Sequence, residues 1–163
     1  MTKLNTGDRV PDVTVSSVNG GIFTLSSETA KQPVLLYFYP SNYGLMCRYY
    51  TVKLNDYFED LEKLKVRMFH VNPASIDDHR EWMDHVDSKY DHISDDEQRL
   101  SWMFGMIIND YKEDGTDSMT NRGFALIDKD MVIRYTWRTN IPVNVPDPME
   151  LITEIKRSLK QRP

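Results

Sequence analysis

The chain carries one cysteine in 163 residues, Cys47. A single thiol excludes an intramolecular disulfide and any zinc cluster built on several cysteines. Long apolar runs are lacking too. The longest, residues 34–39, is six residues long, against the ~20 of a membrane-spanning helix. There is no basic excess: 25 acidic against 20 basic side chains leave a net charge of -5. With no basic cluster to offset it, that balance argues against a nucleic-acid partner. No charged-then-apolar leader follows Met1, so the expectation is a cytoplasmic protein with no membrane partner. No glycine-rich phosphate loop follows a strand, and no G-x-S-x-G elbow is present. Neither repeats nor low-complexity stretches divide the chain. Its length and 40% hydrophobic content suit one globular domain over residues 1–163.

Within that frame the apolar pattern alternates between two periods. Residues 12–15 and 22–25 flank Asn19-Gly20-Gly21, which predicts a β-hairpin. Residues 34–39 read as a strand buried on both faces and ended by Pro40. From 48 to 63, Tyr50, Leu54, Phe58 and Leu61 recur every three or four residues, which predicts an amphipathic helix. Residues 66–71 return to strand character. Ser75 caps a second helix with Ile76, Met83 and Val86 on its apolar stripe. A shorter helix is expected over 95–104, an exposed loop over 112–121, and strands at 124–127 and 132–135. The last helix starts at Asp147 as N-cap, with Pro148 first and Glu150 completing a capping box. Hairpin, β-α-β-α-(α), then β-β-α is an α/β order, and a thioredoxin-like fold with an N-terminal hairpin extension accommodates it.

Cys47 falls between the buried strand and the first long helix. Helix amides point outward at such a junction and the dipole is positive, which favours the reactive thiolate. The competing reading of the same residue is a small buried hydrophobe. Arg48 either stabilises that thiolate or projects into solvent. Trp82, Trp102 and Trp137, with Met83, Met103 and Met106, either line an apolar pocket or a partner surface, or are core and edge packing. Asp110, Lys112, Asp114 and Gly115 suggest a calcium loop, but Lys112 occupies a ligand position and Asn121 the twelfth, so calcium is not expected. His79 and His85 do not share a helix face at metal spacing, and with His70 and His92 they read as ordinary polar residues.

The chain also resembles the peroxiredoxin family. Phe38-Tyr39-Pro40 followed by Cys47 is similar to that family's apolar strand and proline-to-cysteine loop. Gly7-Asp8-Arg9-Val10-Pro11-Asp12, Asn19-Gly20-Gly21, His70-Val71-Asn72-Pro73-Ala74-Ser75, Ser94-Asp95, Phe104-Gly105-Met106 and Arg122-Gly123-Phe124 follow in the family's order. The likeness runs along essentially the whole chain, nearest the bacterioferritin-comigratory-protein branch and its one-cysteine relatives. It implies a thioredoxin-like fold and a thiol-dependent peroxidase that needs no metal or organic cofactor. By the same resemblance Cys47 is the nucleophile, Arg122 its cationic donor and Pro40 the shield over the thiolate. The loop at Gly44, with the amides near Met46 and Cys47, would receive the peroxide. For Arg122 the competing reading is a solvated surface arginine. The implied partners are hydrogen peroxide or an alkyl hydroperoxide and an external thiol, thioredoxin-like or of low molecular weight. Relatives exist as homodimers or monomers.

The resemblance breaks close to the cysteine. The family's hydroxyl three residues before it is Gly44 here, the following proline is Leu45, and the glutamate three residues after it is Tyr50. The second cysteine that some relatives carry five residues on is Val52. A one-cysteine peroxidase is therefore the first expectation, with Ser41 or Tyr43 as substitute hydroxyls. The alternative expectation is a peroxiredoxin-like protein without efficient turnover, serving in redox sensing or binding.

Overall fold

A computed structural model describes residues 3–108, 119–139 and 144–160. Strands β1 (Thr14–Ser17) and β2 (Gly21–Thr24) form the N-terminal hairpin. Helix α1 (Leu25–Lys31) and strand β3 (Val34–Phe38) follow. Next come α2 (Leu45–Asn55), α3 (Phe58–Lys63), β4 (Arg67–Asn72), α4 (Ile76–Val86) and β5 (Asp91–Ser94). The chain continues through α5 (Arg99–Met103), β6 (Ile107–Ile108), β7 (Met119–Thr120), β8 (Gly123–Ile127), β9 (Ile133–Arg138) and α6 (Pro148–Lys160). Seven strands make one sheet in the order β2-β1-β5-β4-β3-β8-β9, while β6 and β7 pair separately. The central strands β3, β4 and β5 run parallel, and β8 returns antiparallel beside β3. This is the expected thioredoxin-like α/β sheet with the hairpin added at one edge.

Strand β3 explains why the sheet has a core on each face. All five of its residues are buried, as a continuous apolar run requires. Val34, Leu36 and Phe38 join a core with Leu25, Phe69, Val71, Leu100, Phe104 and Ala125. Leu35, Tyr37 and the following Tyr39 face the other way, towards Cys47, Tyr50, Leu54, Leu61, Leu151 and Ile155. Helices α1 and α5 thus cover one face, and α2, α3 and α6 the other.

Several sequence expectations need correction. The helix read over 48–63 begins earlier, at Leu45, and is two helices. It breaks where the Asn55 amide turns to another element, donating to the carbonyls of Val86 and Asp87 at 3.1 Å each. Helix α1 is absent from the sequence reading because its cap is remote. Asp12, 14 residues earlier, accepts from the Ser26 amide at 2.9 Å and the Ser26 hydroxyl at 2.6 Å. Strand β5 carries no strand signal in the sequence, since Asp91-His92-Ile93-Ser94 holds one apolar residue, yet all four are buried between β1 and β4. The N-caps behave as read: Ser75 accepts from the Asp78 amide at 3.1 Å, and Asp147 from the Met149 amide at 2.8 Å. Most of the 112–121 loop and the calcium-like residues Asp110, Lys112, Asp114 and Gly115 lie outside the described residues, while Met119–Thr120 forms β7. No described helix is long and apolar enough to cross a membrane.

Candidate active site

Strand β3 delivers the chain to Tyr39, where a seven-residue path from Pro40 to Met46 turns it into the first turn of α2. Cys47 is the third residue of α2, inside the helix and not ahead of it, and is 5% exposed. The first amides of a helix have no intrahelical acceptor. Those of Leu45, Met46 and Cys47 therefore give this end of the helix, where the thiol sits, a positive partial charge. Gly44 is the N-cap, at φ -68° and with no side chain to cap the helix; its carbonyl accepts from the Arg48 amide at 2.8 Å. Pro40 is half-buried at the start of this path.

The cation comes from 75 residues away. Pairing of β3 with β8 sets Phe38 opposite Gly123 and Tyr37 opposite Phe124, so Arg122 enters β8 beside the end of β3. It is 2% exposed, which excludes the solvated-surface reading. Arg122 Nη2 donates to Cys47 Sγ at 3.3 Å, and Nη1 donates to Tyr37 Oη at 2.6 Å. Burial alone would lower the arginine's pKa, but the electrostatic pull of Tyr37 and Cys47 and the bonds to both raise it above its ordinary value. Asn121 fixes the approach: its Oδ1 accepts from the Arg122 amide at 2.9 Å and its Nδ2 donates to Thr139 O at 2.8 Å.

Tyr37 was not anticipated. It is fully buried, and desolvation holds its phenol neutral far above the ordinary tyrosine range. The only signal available was its alternation with Tyr39 on one face of β3. Tyr50, in the place of the family's glutamate, turns elsewhere and donates to Pro146 O at 2.7 Å. The acceptor for the arginine's second arm therefore comes from the sheet and not from α2. Arg48 lies on the exposed side of α2. Trp82, Met83 and Met106 are packed inside, whereas Trp102 is 42% exposed. Val52 is exposed.

Three histidines that read as ordinary polar residues are instead a buried cluster beneath the loop. His70, His79 and His92 are all fully buried. His79 Nδ1 and His92 Nδ1 lie 3.2 Å apart, and the His70 and His92 rings are 4.6 Å apart. Desolvation, reinforced by mutual repulsion with His79, lowers the pKa of His70 to about 3. Burial also lowers those of His79 and His92. The cluster reaches the active-site path through Asn42. Its Oδ1 accepts from Tyr39 Oη at 2.6 Å and from Asn72 Nδ2 at 3.1 Å, and its Nδ2 lies 3.5 Å from His79 Nδ1. Among the described residues no group of three or more His, Cys, Asp or Glu side chains is arranged to hold a metal ion.

A buried thiol in the first turn of a helix, bonded by a guanidinium carried on a thioredoxin-like sheet, defines a thiol-redox class of protein. Residues 6–136 match the AhpC/TSA family. The chain belongs to that family, the peroxiredoxins. It is 27% identical over 147 residues to the chloroplastic 2-Cys peroxiredoxin BAS1 of Hordeum vulgare, covering 84% of this chain and 67% of that protein. The counterparts from Spinacia oleracea and Arabidopsis thaliana are longer, and the chain spans 53% of each. A peroxiredoxin of Thermoplasma volcanium is 26% identical over 160 residues, covering 94% of this chain and 74% of its own length. In fold, the chain is similar to PrxQ of Xylella fastidiosa, with a TM-score of 0.85, 21% identity and coverage of 98% and 100% of the two chains.

Proposed function

We propose that the protein is a thiol-dependent peroxidase of the one-cysteine type, reducing hydrogen peroxide or an alkyl hydroperoxide with an external thiol. The observation that carries this reading is the 3.3 Å bond from buried Arg122 to Cys47 Sγ, with the guanidinium's other arm fixed on Tyr37. The Cys47 thiolate attacks the terminal peroxide oxygen. A sulfur–oxygen bond forms as the oxygen–oxygen bond breaks, and the leaving oxygen departs with the electron pair and takes up a proton. Sulfur is oxidised by two electrons and the peroxide is reduced to water or an alcohol. Arg122, with the amides of Met46 and Cys47, stabilises the negative charge that develops. Pro40 shields the thiolate, and Gly44 leaves room for the peroxide.

The chain has no second cysteine, so the sulfenic acid is resolved from outside. An incoming thiol condenses with it to a mixed disulfide and water, and a second thiol releases Cys47 as the other product disulfide forms. A thioredoxin-like protein or a low-molecular-weight thiol fits this role. The exposed side chains Tyr43, Leu45, Tyr49 and Val52 around the thiol support a homodimer contact or reductant docking there. Gly44, which brings no hydroxyl to the site, favours the second reading: a redox-sensing module without turnover.

Reduced protein mixed with stoichiometric hydrogen peroxide, quenched rapidly and measured by intact mass and free thiol, tests the first step. Sulfenylation within seconds is the expected result. Oxidation no faster than that of free cysteine refutes the peroxidase. Catalytic peroxide consumption with added thiols then separates turnover from sensing.

A further inference from the structure

Gly44 lies beside the nucleophile, and the neighbours that a side chain there would meet are specific. A Cβ placed on Gly44 would lie 3.6 Å from Cys47 Sγ and 3.7 Å from Ser41 Oγ, with Cys47 Cβ next at 3.8 Å. These are ordinary van der Waals separations, so a Cβ there would touch the reacting sulfur and a hydroxyl at once without strain. We propose that Ser41 is the peroxide-binding hydroxyl of this site, donating to the peroxide held at Gly44 between its Oγ and Cys47 Sγ. This rests on the peroxidase reading and names a residue that touches its substrate.

The distances permit such a bridge. Ser41 Oγ and Cys47 Sγ are separated by at most 7.3 Å, the sum of their two separations from the Cβ position. Nucleophilic attack needs the reacting atoms about 3–3.5 Å apart. A hydroxyl donates across about 2.7–2.8 Å. Two adjacent peroxide oxygens, one at the sulfur and one at the serine, reach across a gap of up to about that limit. Tyr43, the neighbouring hydroxyl, is committed elsewhere: its ring packs on Trp82 at 4.7 Å and on His85 at 5.8 Å, along α4. Ser41 is held in place by the residue after it, since Asn42 is bonded to Tyr39 and Asn72. Arg122 approaches the sulfur from β8, and Ser41 flanks it from the loop. The leaving oxygen thus meets a cation and a neutral donor brought by different segments.

Two rates measured on the same variants test this: oxidation of Cys47 by hydrogen peroxide and its alkylation by iodoacetamide, which reads thiolate reactivity without a peroxide. Ser41→Ala is expected to slow oxidation about 10²-fold, the order seen on removing one oxyanion donor, and to leave alkylation unchanged. Ser41→Thr should retain the oxidation rate. Gly44→Thr in the Ser41→Ala background should restore it, because the glycine has negative φ and a Cβ there meets no close contact. Unchanged oxidation in Ser41→Ala overturns the assignment and leaves the peroxidase intact. Equal slowing of oxidation and alkylation also overturns it, since the serine would then act on the thiolate and not on the peroxide. A wild-type protein no faster than free cysteine removes the peroxidase reading and this one together.

Discussion

Acid should unfold this protein from the histidine cluster outward. His70 lies at the centre, stacked on Tyr90 at 5.2 Å and edge-on to Tyr37 at 5.1 Å, and neither ring nitrogen has a hydrogen-bond partner among the described residues. Its pKa of about 3 sits far below the 6.5 of an unconstrained imidazole. The unfolded chain therefore takes up the proton first. Stability present above pH 6.5 is lost as the pH falls towards the folded-state value. By pH 5 that linkage removes about 2 kcal/mol for one histidine held neutral in the fold. His79 and His92 shift in the same direction, mainly through burial, although Asp78 and Asp91 favour the charged form of His79. Both histidines therefore add to the loss in the same direction, and the His70 share alone is a sizeable part of the ~5–15 kcal/mol that holds a whole domain. Urea titrations followed by tryptophan fluorescence from pH 7.5 to 5 measure it. With a slope of about 2 kcal/mol/M, His70 alone moves the midpoint by about 1 M. His70→Leu fills similar space without a polar atom, so it should raise the midpoint at pH 7.5 and flatten the fall to pH 5. A flat midpoint in the wild type, or an equal fall in His70→Leu, would refute the assignment of acid lability to this cluster.

Three further substitutions probe the site and its supports. Tyr37→Phe removes the acceptor that holds Arg122 Nη1, and should lower the ratio of peroxide oxidation to iodoacetamide alkylation about 10-fold; an unchanged ratio would mean that the arginine is positioned without it. Gly123→Ala should cost about 1–3 kcal/mol by overpacking, because the new Cβ would run into Met106 Sδ and lie 2.6 Å from Trp137 O. A urea midpoint within error of the wild type would contradict that. Asp95→Ala should cost about 2–3 kcal/mol. The buried carboxylate accepts from the Leu100 amide at 3.0 Å, the Ser101 amide at 2.9 Å and the Ser101 hydroxyl at 2.8 Å, and calorimetry would register the loss.

The legible parts of this protein are those whose cause is local. The six-residue run ending at Pro40, the Asn-Gly-Gly turn, and the caps at Ser75 and Asp147 each carry their physical reason within a few residues. So the β-α-β order and the junction holding Cys47 followed from the sequence. Helix α1 and strand β5 did not, because one is capped by a distant aspartate and the other is buried by its neighbours despite its polar composition. The cysteine shows the same division. Its singleness, its place between a buried strand and a helix, and the missing hydroxyl at Gly44 are properties of the sequence. That Arg122 reaches its sulfur, that Tyr37 holds the arginine, that the Ser41 hydroxyl and the sulfur both lie beside Gly44 and that three histidines lie together beneath the loop were decided only by the tertiary structure. Strand register and helix packing set those distances, and both depend on contacts between residues far apart in the chain.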